Sequence, residues 1–357
     1  MAEKDTGTVA GVAPAQGAPR RSPRQLSIKD IARIARVSHP TVSRALQNSP
    51  LVNAKTAEKI RRIADEAGYR ASAVARGLVT RRTRTIGLVV TTVADPFASE
   101  VVCGVEQTAN DHGYSVFLAD SNADPERERK VVQAFAERRV DGILVTSSRV
   151  GALYLPMLAQ MQVPIVLVND QYPGAFVHSV MIANFEGMRA AAGHLVELGH
   201  RRIAYLGDQF GYQSDAERLA GFRAALESAS IPVRSQLIAH GDGKPEAAMA
   251  AMKALLAARP TAICCYNDMT ALGATHQLRA HGLRVPEDIS VTGFDDLFFA
   301  AYLEPPLTTV RQPMRRMGQL AMESLLRLMS GEESVPQIRV DAELVVRAST
   351  ARMSGRG

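Results

Sequence analysis

Between residues 28 and 46 the apolar positions recur at helical spacing in two short runs, IKDIARIA and HPTVSRAL, with a break between them. Ser27 precedes the first run and Asp30 follows three residues later, which predicts a capping-box start with Asp in place of the usual Glu or Gln. Ile31, Ile34 and Ala35 are expected to share the buried face. The turn falls near Arg36 and Val37, and Ser38 or His39 caps the second helix. A residue before proline avoids the α region, so His39 is favoured as the cap and Pro40 as the first helical residue. Val42 and Leu46, four apart, bury; Thr41, Ser43 and Arg44 point elsewhere. Asn53 is expected to cap a third helix with Ala57, Ile60, Ile63, Ala64 and Ala67 as its apolar stripe, stopped by Gly68. The Ala-rich stretch 69–79 is too short to be helical by itself in water and needs something to pack against.

From residue 85 the pattern changes. Apolar runs at 86–90, 115–119, 142–146, 165–168, 203–206, 262–265 and 290–292 alternate with helical stretches such as 186–198 and 217–227. This predicts an α/β body of doubly wound parallel sheets covered on both faces. Ligands of such sheets bind beyond the carboxyl ends of the strands. Asp95, Asn169, Asp170, Asn267, Asp268, Asp295 and Asp296 all fall there. Each alone reads as a helix cap or a solvated loop residue; together they describe a polar cleft.

Charge separates the two regions. Residues 1–85 hold 17 Lys and Arg against 6 Asp and Glu, a net of +11; the whole chain is +6, so residues 86–357 carry −5. A basic head on an acidic body points to a polyanionic partner at the head only. At 357 residues the chain is expected to form two or three compact units. No run approaches the ~18–20 apolar residues of a membrane helix. The Ala/Gly/Pro/Arg-rich tail, residues 1–25, lacks the apolar segment of a signal peptide and reads as disordered, which implies a cytoplasmic, nucleoid-associated protein. Cys103, Cys264 and Cys265 have no metal-ligand spacing and read as reduced core thiols. Neither a metal nor a cofactor is expected.

A short rod with polar and cationic side chains in its first turns fits the major groove of B-DNA, so residues 28–46 read as a helix-turn-helix. Arg44 suits two hydrogen bonds to guanine, and His39 is a second base-reading candidate. The competing reading is any three-helix unit with a polar outer face.

The segments IKDIARIARVSHPTVSRAL, AGYRASAVARGL, TRTIGLVV, RRVDGILV, HLVELGHRRIAYLGD, ERLAGFRAAL, YNDMTALGA and VPEDISVTGFDD, in this order, resemble the LacI/GalR family of bacterial transcription regulators. The resemblance implies a DNA-binding head at 26–71, a hinge helix and linker at 72–84, and an effector-binding body at 85–350 before a tail at 351–357. The body would have one lobe at about 84–182 plus 312–338 and another at about 183–311 plus 339–350. Residues expected at DNA are His39, Pro40, Thr41, Ser43, Arg44 and, in the hinge, Ala75 and Leu78, the last as a minor-groove wedge. Asn169, Arg218, Asn267 and Asp295 are placed at a small polar effector, with Asp95 and Phe97 on the opposite wall; a sugar, or else a nucleobase or nucleoside, suits those groups. The implied protein is a homodimer on a palindromic operator, a repressor controlled by that effector. Gly243 stands where relatives often stack an aromatic ring, and Met314 reads as another lining position. Arg36 replaces a common Gly or Asn, and Ala71 and Ser72 a common Pro-Asn. Two other classes compete: a transport-type solute-binding protein, and a carbohydrate-active enzyme using acids such as Asp170 and Asp295.

Overall fold

A computed structural model describes residues 26–69, 82–154, 156, 163–171 and 178–353. The chain divides into two compact units, residues 1–81 and 82–357.

Within the first unit, α1 (Ile28–Ala35), α2 (His39–Leu46) and α3 (Ala54–Glu66) enclose a core of Ile31, Ala32, Ala35, Val42, Ala45, Ala57 and Ile60. The capping box is formed: Ser27 Oγ accepts from the Asp30 N–H, and Asp30 accepts the Ser27 N–H at 2.9 Å. Two expectations are corrected. Ile34 is 54% exposed and Ala32 takes its place in the core. At 100° per residue, Ile31, Ala32 and Ala35 span one arc and Ile34 falls outside it. The cap of α2 is Ser38, whose Oγ accepts the Thr41 N–H at 3.3 Å, while His39 is already helical. A serine hydroxyl is a compact acceptor, and Pro40 in the first turn still falls where no N–H is needed.

Arg36 ends α1 in the left-handed region, at φ 58. A non-glycine residue there costs about 1 kcal/mol. Arg36→Gly is therefore expected to stabilise the head by up to about 1 kcal/mol, read from its denaturation transition in the full chain. A lower midpoint would show that the arginine side chain contributes more than its backbone costs. The hinge positions Ala71, Ser72, Ala75 and Leu78 lie outside the described residues.

In the second unit the chain runs β1 (Thr85–Val90), α4 (Pro96–Asp111), β2 (Ser115–Asp120), α5 (Pro125–Glu137), β3 (Gly142–Thr146), β4 (Ile165–Val168) and β5 (Ser179–Ile182). It continues with α6 (Asn184–Glu197), β6 (Ile203–Asp208), α7 (Gln213–Ser228), β7 (Ile238–Gly241), α8 (Pro245–Ala257), β8 (Ala262–Cys265), α9 (Asp268–Ala280) and β9 (Ser290–Thr292). β10 (Thr309–Arg311), α10 (Met314–Met329), β11 (Ile338–Val340) and β12 (Glu343–Val345) complete it. One sheet has the order β11-β5-β4-β3-β1-β2 and a second β7-β6-β8-β9, every pairing parallel. β10 and β12 form an antiparallel ribbon. β11 pairs with β5 at the edge of the first sheet, through Val340. The chain passes between the two layers three times, after β5, between β10 and α10, and after β11.

Parallel strands buried on both faces need unbroken apolar runs, which β1, β3, β4 and β8 supply. Leu88 of β1 lies between Leu118 and Leu144. On one side of this sheet α4 and α10 meet backbone to backbone. A Cβ on Gly104 would collide with the Arg315 carbonyl, and one on Gly318 with the Val101 carbonyl, so only glycine admits this approach. Cys264 and Cys265 are core residues, but Cys103 is exposed, which corrects its reading as a core thiol: α4 turns Val101, Gly104 and Val105 inward and Cys103 out. Among the described residues, no helix is long and apolar enough to cross a membrane.

Candidate functional site

On the head, the polar face of α2 is open. His39, Pro40 and Arg44 are exposed, and Thr41 and Ser43 half-buried. Nearby cations are partly engaged: Arg33 pairs with Asp30 at 3.2 Å, and Lys59 donates to the Ala35 carbonyl at 3.3 Å. The Arg44 side chain has no ion pair or hydrogen bond among the described residues.

In the body, a cavity of about 500 Å³ opens between the carboxyl ends of the two sheets. All six positions expected at an effector line it: Asp95, Phe97, Asn169, Arg218, Asn267 and Asp295. Gly243 lines it too, at φ +78, which an aromatic replacement would find strained. Met314 does not. It is buried in the core between α4 and α10, and Gln312 is the lining residue from that segment.

Strand ends explain how these groups arrive. Asp95 caps α4, accepting the Phe97 N–H at 3.0 Å, and Asn267 caps α9, accepting the Thr270 N–H at 2.7 Å. Capping and cleft lining are thus done by the same residues. The three adjacent polar pairs split. Asn169, Asn267 and Asp295 face the cleft. Asp268 instead accepts from the Leu297 N–H at 2.7 Å and the Thr309 hydroxyl at 2.5 Å. Asp296 binds Arg311 at 2.8 Å and Arg347 at 2.6 Å, and Asp170 is buried outside the cleft lining. Asp295 and Asp296 both hold positive φ, 121 and 58, so this bend is strained where it enters the site.

Arg218 is 2% exposed and organises the floor. Its Nε donates to Asn184 Oδ1 at 2.9 Å and its Nη1 to the Tyr266 carbonyl at 2.6 Å. Its guanidinium carbon lies 3.7 Å from the centre of the Phe294 ring, and Nη2 is 3.9 Å from Asp295 Oδ1. Burial pushes the Asp295 carboxyl up to about 7, against the lowering effects of Arg218 and of Gln312, which donates to it at 2.5 Å. Asp208, at the end of β6, is pushed up to about 6 by burial. Among the described residues, three buried acceptors in the lining have no hydrogen-bond partner: Asn169 Oδ1, Asp208 Oδ2 and Gln312 Oε1.

Residues 27–72 match the family described as bacterial regulatory proteins, lacI family, and residues 192–350 match the periplasmic binding protein-like domain. The HTH-type transcriptional repressor PurR of Vibrio parahaemolyticus is 36% identical over 332 residues, 92% of this chain and 99% of the relative. The chain belongs to the LacI family. It is a transcriptional repressor with a DNA-binding head and an effector-binding body, and not an enzyme. PurR of Vibrio vulnificus is 37% identical over the same span. The lac repressor dimer bound to operator and the anti-inducer ONPF superposes with a TM-score of 0.84, at 28% identity, covering 92% of this chain and all of that one. The complex of the regulator CelR with cellobiose gives 0.69 at 33% identity, covering 91% and 100%.

Sequence reasoning missed several lining residues of this LacI-family regulator. Asp208 ends β6 and Tyr266 directly follows β8, so the strand-end rule that found Asn267 reaches them as well. Gln312 follows a three-residue strand too short to announce itself.

Asp208 offers a pH test. Its folded-state pKa lies above the ordinary 3.8, so the ionised form destabilises the fold above about pH 6 and the penalty disappears below 3.8. Asn keeps an oxygen for the Phe210 N–H, which Asp208 Oδ1 accepts at 2.7 Å. Asp208→Asn should raise stability by about 2 kcal/mol at pH 7.5 and by little at pH 4, in urea titrations at both. A gain independent of pH would contradict the assignment.

Proposed function

We propose that this repressor binds a two-fold symmetric operator as a homodimer, on the nucleoid in the cytoplasm, and answers to a neutral polyhydroxylated effector, a sugar. The observation that carries the effector class is the charge and hydrogen-bonding character of the cleft. Among the described residues, Asp95, Asp208, Asp242, Glu246 and Asp295 line it against two cations, Arg218 and Lys244. Arg218 is already committed to Asn184, Tyr266 and Asp295. Such a wall repels phosphate and carboxylate, and its partnerless acceptors call for a ligand that donates hydrogen bonds at several points, as hydroxyls do. Asn169, Asn267 and Asp295 are assigned to the effector with Arg218 beneath it, and Asp95 and Phe97 close the other wall. A nucleobase is the second reading: Gly243 brings no ring of its own, but Tyr266 beside it, with Tyr212 and Phe97, lines the cavity with aromatic rings. The cellobiose complex of CelR and a LacI-family regulator from Enterococcus faecium with bound ribose, 26% identical, support the sugar class.

Operator contacts are assigned to His39, Pro40, Thr41, Ser43 and Arg44, with Ala75 and Leu78 of the hinge over the centre of the site. Two heads on a two-fold axis read half-sites about one helical turn, ~34–36 Å, apart or a multiple of it. Effector binding changes the relation of the lobes and couples to DNA by about 1–3 kcal/mol.

The test has two arms. Selection from random duplexes should return an inverted repeat; an unstructured consensus would remove the dimeric reading. Calorimetry with D-ribose, cellobiose and ribose 5-phosphate should show heat with a neutral sugar and none with the phosphate ester. Tighter binding of the ester would overturn the effector class.

A further inference from the structure

Arg149 follows β3 in the first lobe and reaches over the second. Its guanidinium carbon lies 4.6 Å from the centre of the Tyr212 ring and 5.0 Å from that of Phe210, both in the loop after β6. Both the backbone and one guanidinium nitrogen of this arm are fixed within its own lobe. The Arg149 N–H donates to Glu128 Oε2 at 3.2 Å, and Nη1 donates to the Ala123 carbonyl at 2.7 Å. Glu128 is itself buried and held by the hydroxyls of Ser148 and Tyr154, each at 2.6 Å. The tip is therefore presented by a rigid frame.

The receiving side makes little sense as core. Phe210 is 53% exposed, and its ring contacts are Tyr212, at 5.7 Å between centroids, and Arg149. Tyr212 lines the effector cavity, and Asp208 at the foot of the same loop adds an opposite charge near the guanidinium. An arginine over two aromatic faces beside a carboxylate is a favourable contact, stronger when partly withdrawn from water. Deeper in, Gln171 of the first lobe accepts from Ser214 Oγ at 2.7 Å, so a polar contact between lobes backs the one at the rim.

We propose that Arg149 is a positioning residue for the effector: a latch at the rim of the cleft that holds the two lobes closed through Phe210 and Tyr212. The effector is enclosed while the latch is made and escapes when it opens. This goes beyond the assignment of effector contacts, since Arg149 acts on closure whatever sugar is bound.

The test reads lobe separation directly in the full chain without ligand. Spin labels are placed on exposed positions of α5 and α8 through Glu137→Cys and Lys253→Cys, with Cys103→Ser removing the exposed native thiol; Cys264 and Cys265 are buried. Pulsed electron–electron distance measurement should show the long-distance, open population rising about three- to tenfold relative to the closed one in Arg149→Met. Arg149→Lys should recover part of the closed population. Phe210→Ser, a change at an exposed ring, should open the lobes in the same sense. The double variant should open no further than Arg149→Met alone. Distance distributions of Arg149→Met and Phe210→Ser that superimpose on the parent would overturn the latch. Should Arg149→Met fail to fold, Phe210→Ser decides alone by the same criterion.

Discussion

Arg218→Met is expected to abolish the effector response and to cost the body about 3–5 kcal/mol at pH 7.5, the usual penalty for removing one partner of a buried, hydrogen-bonded ion pair. The side chain is 2% exposed, and it is bound to Asn184, to the Tyr266 carbonyl and, at longer range, to Asp295. Methionine fills much of the volume over Phe294 but supplies no donor. Asp295 already sits near 7 with the arginine beside it. Without it the carboxyl rises further and stays protonated at neutral pH, which adds at most about 1 kcal/mol at pH 7.5, so the lost bonds to Asn184 and Tyr266 carry most of the cost. That smaller part belongs to the charged form and disappears as pH falls toward 5, where Asp295 is protonated with or without the arginine, so the loss should shrink by about 1 kcal/mol at most. Urea titrations at pH 7.5 and 5 measure both quantities. A loss smaller by several kcal/mol at pH 5 than at pH 7.5 would contradict this assignment, because Asp295 near 7 leaves no room for it.

Arg44→Ala is expected to weaken the selected operator about 10- to 100-fold, the worth of one bidentate base contact, and random DNA far less. The expectation rests on a side chain that is exposed on α2 and has no partner among the described residues, in a segment carrying a strong positive excess. Affinities for operator and random duplex at one salt concentration give the comparison. Equal losses on both would make Arg44 a phosphate contact and leave base reading to His39, Thr41 and Ser43.

Much of this architecture is legible in the residues themselves, and the exceptions have identifiable causes. β4 and β8 end where their apolar runs end, because a strand covered on both faces admits few polar residues, whereas β3 and β9 take in the buried hydroxyls of Thr146, Ser290 and Thr292. Strand β10 and the ribbon it makes with β12 are only three residues each, below the length at which a period of two can be seen. That is why Gln312 is not legible in the sequence; Met314 rests on the family resemblance alone and lies in the core instead. In α1 the stripe was read as Ile31, Ile34 and Ala35 because isoleucine outweighs alanine in hydrophobicity. The close approach of three short helices instead admits the small Ala32 and leaves Ile34 outside. The cap of α2 turned on two competing rules, and the serine acceptor outweighed the reluctance of a residue before proline to be helical. Adjacent polar pairs at strand ends were the clearest signal of the cleft. The sequence does not say which member of a pair faces inward; in Asn169-Asp170, Asn267-Asp268 and Asp295-Asp296 it is the first each time. The Arg149 contact joins residues some sixty positions apart with no shared period, so nothing local announces it.

The central claim is that the basic head reads a specific duplex as a symmetric pair. Its most direct test is an anisotropy titration of the full-length protein against the selected inverted repeat, a single half-site and a scrambled duplex at one fixed salt concentration. The account predicts binding to the inverted repeat about 10³-fold or more tighter than to the scrambled duplex, with the half-site close to the scrambled value. Equal affinity for all three would contradict it.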